Sequence, residues 1–186
     1  MRSTRRTESG QAIIEFALFF TFMMLLLAGV TDIAGLLDAH MNVVYAARQG
    51  ARTGAVLNNQ QWADCAIVGA IQAVLTSQPS LTLTQITIYQ ADGTGQDIGT
   101  HEIYPGTSNC SAPATAPSPG PIVNGWPSTA RNNTTFPSED SIGVKLTYSY
   151  QWQFGLVGSG VYAASDSAIF PLNVAGEPTP LPTGSG

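Results

Sequence analysis

The residues best suited to chemistry in this chain are few and badly placed for one another. Two histidines, His40 and His101, and two cysteines, Cys65 and Cys110, are the soft ligands available. None falls in a C-x-x-C or H-x-x-x-H spacing, so no metal site and no metal cofactor is predicted. The glycine-rich stretch GTGQDIG at residues 93–99 lacks the lysine and hydroxyl of a phosphate loop and no helical pattern follows it. It reads as a hairpin turn. There is no G-x-S-x-G elbow, and the adjacent Glu139 and Asp140 lie in a proline-rich stretch where solvation is the default. With no nucleophile, base and orienting group at compatible positions, the expectation is a protein without enzymatic activity, organic cofactor or small-molecule substrate. One ionisable residue is out of place: Glu15 interrupts the apolar run that starts at Ala12, where a carboxylate costs about 2.5–3.5 kcal/mol at mid-membrane on insertion scales.

The totals bound what those residues belong to. The chain has 186 residues, of which 10% are charged, against roughly a quarter in ordinary soluble domains. Its 19 glycines and 12 prolines suit a membrane or exported protein with irregular, hydroxyl-rich connections. Residues 1–10 carry a net charge of +2, so the remainder carries −7 with Arg48, Arg52, Arg131 and Lys145 as its cations. Nothing there clusters as a nucleic-acid surface requires.

Residues 16–31 are uncharged, and the mostly apolar segment extends from Ala12 to Leu37. A membrane span needs about 20 such residues. Arginines before the span place the N-terminus in the cytoplasm and the bulk of the chain outside. The run is too long for a secretory h-region and lacks an A-x-A-like site, which favours an uncut anchor over a cleaved secretory signal.

On the cytoplasmic side of this run stands a basic leader ending in Ser9-Gly10, followed by QAIIEFAL, with Glu15 at the fifth position after Gly10. This arrangement resembles the type IV prepilin signal, and GQAIIEFAL is similar to the variant in TadE-like proteins, although Gln11 stands where pilins often have Phe or Met. The segment VYAARQGARTGAV, residues 44–56, is similar to the Ala-Arg-x-Gly-Ala-Arg stretch that follows the span in the same family. The resemblance covers about residues 6–56. It implies cleavage between Gly10 and Gln11 by a prepilin peptidase, a bacterial inner-membrane location, and other pilins or pseudopilins and a pilus assembly platform as partners beside the lipid bilayer. Glu15 would then set register by pairing with a neighbouring subunit's amine. Capping of its own helix start is the alternative. The reading is a minor pilin or pseudopilin of a tight-adherence, Flp-type system. The alternative is a single-pass surface or scaffold protein binding an envelope partner.

These residues need elements to carry them. The absence of proline from Met1 to Gln78 allows one helix from about Gly10 to Val56. In its outer half, Leu37, Met41, Val44, Ala47, Ala51 and Ala55 recur at spacings of three and four. Gly50 and Gly54 point either to close helix packing or to a helix that breaks at RQGARTG. After Asn58-Asn59, QWADCAIVGAIQAVLTSQ reads as a second helix ended by Pro79. LTLTQITIYQ, DIGTHEIY, IGVKLTYSYQWQF and DSAIFPLNV read as antiparallel strands, with Pro171 marking an edge. The expected fold is α+β: a long transmembrane helix continuing outside the membrane, then a small pilin-like domain with a second helix and a three- to four-stranded antiparallel sheet. The expected divisions are a leader (1–10), the transmembrane and extended helix (11–57), an exported domain (58–176) and a disordered tail (177–186). Residues 111–140 form a proline-rich loop, expected to be functional or disordered. Cys65 and Cys110, in an exported domain, invite a disulfide; two separate thiols are the alternative.

Overall fold

The computed structural model describes residues 8–110, 116–133, 139–158 and 160–172. The leader arginines and the tail at 177–186 lie outside the described residues.

Helix α1 spans Glu8–Leu57, 50 residues and so about 75 Å long. It ends where Asn58 adopts a left-handed conformation (φ 53°) and its N–H donates to the Gly54 carbonyl at 2.8 Å. Asn tolerates this conformation and closes helices for that reason. Helix α2 (Ala63–Leu75) folds back on α1. The sheet comprises β1 (Leu81–Ala91), β2 (Asp97–Pro105), β3 (Val123–Asn124), β4 (Ser141–Gln151) and β5 (Val161–Pro171). Its order is β3-β2-β1-β4-β5, every pairing antiparallel. Pro171 ends edge strand β5, where its missing N–H leaves no ladder bond unmade.

The core lies between the two helices and one sheet face. Ile142, Val144, Leu146, Tyr148 and Tyr150, alternate residues of β4, are all buried, and Val43, Ala47, Ala51, Ile67 and Ile71 meet them from the helices. In β1 the inward residues change phase from Leu81 and Leu83 to Ile86 and Ile88. A register shift between Leu83 and Gln85 absorbs the extra residue, so both pairs face the core. Gly106 packs against this bulge and donates its N–H to Thr84 O at 2.8 Å.

Three details depart from the sequence reading. The sheet has five strands, because two residues inside the proline-rich loop pair with β2, Ile103 with Val123 and Glu102 with Asn124. A two-residue strand is too short to show alternation. Strand β4 stops at Gln151 instead of continuing to Phe154. Finally, the buried stripe of α1 is Ala39, Val43, Ala46, Ala47, Gly50, Ala51, Gly54 and Ala55, while Leu37 and Met41 are 57% and 68% exposed. Side-chain size, not hydrophobicity, selects this face. A Cβ on Gly50 would lie 2.9 Å from Ile71 Cγ1, and one on Gly54 would lie 2.9 Å from Ile67 Cδ1.

Candidate functional site

The N-terminal half of α1 carries the most unusual chemistry. Its large apolar side chains, Ile13 to Leu27 among them, are exposed, and nothing among the described residues covers them. Polar residues within the run satisfy themselves: the Thr21 hydroxyl donates to Ala17 O and the Thr31 hydroxyl to Leu27 O, both at 2.8 Å. Such back-bonding is what an apolar surrounding demands of a hydroxyl.

The two acids bracketing the run behave oppositely. Asp32 is buried, and its carboxylate accepts the Phe154 N–H at 2.9 Å and the Leu156 N–H at 3.2 Å. Glu15 is exposed and has no hydrogen bond or ion pair among the described residues. It lies about two turns after Glu8, where the described part of α1 begins. Gly10, five residues before it, has nothing within reach of a Cβ. No packing among the described residues therefore explains glycine at that position. Gln11 is exposed beside it.

About 60 Å further along α1, by helical rise, Gly50 and Gly54 meet α2 and the sheet. The structure bonds Cys65 of α2 to Cys110, with Cα atoms 5.4 Å apart. The same segment is held by Gln72, whose side-chain amide donates to Gly106 O and Ser108 O at 3.0 Å each. The cleavage, packing and cysteine residues singled out in the sequence thus occupy separate regions and form no common site. Arg48 and Arg52 are exposed.

A buried ion cluster escaped the sequence reading. The Arg131 guanidinium donates to Asp64 in the first turn of α2, lies 4.0 Å from Glu102 of β2, and stacks 4.9 Å from the centroid of Trp126. Asp64 also accepts the Ser128 N–H at 3.3 Å, and Tyr104 donates its hydroxyl to Glu102 at 3.1 Å. Arg131 and Glu102 are 3% and 2% exposed. Burial, then repulsion from Asp64, pushes the Glu102 carboxyl up to about 8, against a smaller pull from Arg131. The cluster thus joins an Arg131–Asp64 ion pair to a carboxyl that burial biases toward its protonated form. It ties the 126–131 stretch of the proline-rich loop to α2 and β2, so that part of the loop is packed structure. Among the described residues no three His, Cys, Asp or Glu side chains are grouped to hold a metal ion.

Fold and anchor together define a class: an α+β head on a single helix that is long and apolar enough to cross a membrane. Residues 10–52 match the family model described as TadE-like protein, which bears out the resemblance read from Gly10, Glu15 and the Ala-Arg segment. That family is pilus-associated, so the match links the anchor helix to pilus-related membrane proteins. No curated protein and no solved structure matches the chain.

Proposed function

We propose that the protein is a minor pilin or pseudopilin acting in tight-adherence, Flp-type pilus assembly, and that its work is interaction rather than turnover. In this reading it sits in the bacterial inner membrane with its N-terminus in the cytoplasm and its head outside. A prepilin peptidase cuts between Gly10 and Gln11, and the trimmed helix packs beside other pilins on the assembly platform. The carrying observation is Glu15: an ionisable side chain in an apolar helix, with no partner among the described residues, at the fifth position after a glycine that none of them packs against. A carboxylate in such a surrounding needs a counter-charge, and pairing sets position more than it adds net stability. The amine created at Gln11 of a neighbouring subunit supplies one.

Glu15→Ala is expected to insert and accumulate normally but to lose cross-linking to neighbouring pilins by more than tenfold, about 1.4 kcal/mol or more of assembly free energy. Glu15→Gln, which keeps the shape without the charge, is expected to fail in the same way. The measurement is disulfide or photo-cross-linking in membranes together with counting of pili. Normal pili from both variants would exclude the register role.

A further inference from the structure

The loop between β4 and β5 is uncharged from Gln151 to Ser165, and its apolar side chains point outward. Phe154 is 59%, Leu156 50%, Val157 50%, Val161 64% and Tyr162 45% exposed. A soluble head gains nothing from such a patch, and its place in the fold shows what it meets.

Strand β4 runs antiparallel to the outer part of α1, toward the apolar end. Ile142 meets Gly54, the Tyr148 hydroxyl lies 3.2 Å from His40 Nδ1, and Tyr150 packs against Gly35. Beyond Tyr150, the Phe154 and Leu156 N–H groups close on Asp32. The loop is therefore locked to α1 at the outer end of the uncharged run. From Ala12 to Asp32 the helix rises about 30 Å, the thickness of a hydrocarbon core. The loop then lies at the outer face of the bilayer, level with exposed Val30 and Ile33. Its form is built rather than incidental. The Trp152 indole packs across Gly158, Tyr150 and Trp152 rings stand edge to face at 5.7 Å, and Gly155 and Gly160 take left-handed conformations (φ 67° and 94°).

We infer that the β4–β5 loop is a membrane-docking surface that seats the head on the headgroup–acyl boundary of the bilayer spanned by α1. This rests on the single-pass anchoring read above. Trp and Tyr favour that boundary, and the apolar tips of Phe154, Leu156 and Val157 enter the acyl layer. Asp32, satisfied by two backbone amides, is tolerated there. Docking at two points, helix and loop, fixes the tilt of the head while the subunit waits in the membrane.

The test places a nitroxide at Val157→Cys, at Leu26→Cys in the span and at Gln96→Cys in the distal β1–β2 turn of the full chain. The proteins are reconstituted in phosphatidylethanolamine–phosphatidylglycerol vesicles. The expected result is oxygen accessibility several-fold above that of a water-soluble nickel chelate at positions 157 and 26, with the reverse at 96. Because the loop carries no charge, neither salt nor the phosphatidylglycerol fraction should change it. Water-like accessibility at 157 with lipid-like accessibility at 26 would overturn the docking surface and leave the span intact. Water-like accessibility at both would overturn the span as well. Spectral broadening at 157 that disappears on dilution with unlabelled protein would assign the loop to a second copy and overturn the inference.

Discussion

Replacing Arg131 by Met is expected to destabilise the head by about 3–5 kcal/mol, the cost typical of stranding one member of a buried ion pair. The guanidinium is fully enclosed, and Asp64 loses its counter-charge while still buried. Glu102, itself an acid, supplies no counter-charge in place of the guanidinium. The loss is attributable to the stranded charge if a second change relieves it. Asp64→Asn keeps an acceptor for the Ser128 N–H but removes the charge. The double variant Asp64→Asn/Arg131→Met is therefore expected to recover most of the loss. Guanidinium unfolding of the full chain in detergent, followed by intrinsic fluorescence with Trp126 buried in the cluster, measures both. Equal midpoints for Arg131→Met and the unmodified protein would mean the cluster contributes nothing net.

Removing the Cys65–Cys110 link is expected to cost about 4 kcal/mol on the chain-entropy account, given a sequence separation of 45 residues. The native state should change little, because Gln72 still holds the 106–108 backbone to α2. The effect falls on the unfolded chain, which regains the freedom of the loop holding β1 and β2. Cys65→Ala/Cys110→Ala should lower the unfolding midpoint without altering the near-ultraviolet spectrum of the folded head. Mass spectrometry of the native protein without reductant provides the companion reading. Two alkylatable thiols there, with an unchanged midpoint in the double alanine variant, would contradict the expectation.

What was legible in the sequence follows from how local each signal is. The run from Ile142 to Tyr150 alternates without error, and one strand with one dry face follows from it directly. The proline-free stretch through Leu57 allows a single helix, and the apolar content of its first half indicates a membrane. The inward face of the outer half was harder to see. Leu37 and Met41 score as core by hydrophobicity, but α2 and the sheet approach α1 so closely that the buried face is made mostly of Ala and Gly, with Val43 its largest apolar side chain. Strand β3 borrows its regularity from β2 and has no pattern of its own. The ion cluster unites positions 64, 102 and 131 from three elements, and no spacing rule links residues so far apart. Asp32 was visible as a charge closing the apolar run. That it accepts two amides from residues more than a hundred positions later required the path of β4.

The reading of the N-terminus turns on one property: whether the helix that functions begins at Gln11. A prepilin-type signal exists to be cut there, whereas a membrane-anchored scaffold has no use for the step. Protein extracted from the membranes of its native host, sequenced from its N-terminus, is predicted to start at Gln11. A chain starting at Met1 or Arg2 in membranes that hold an active prepilin peptidase would contradict the account.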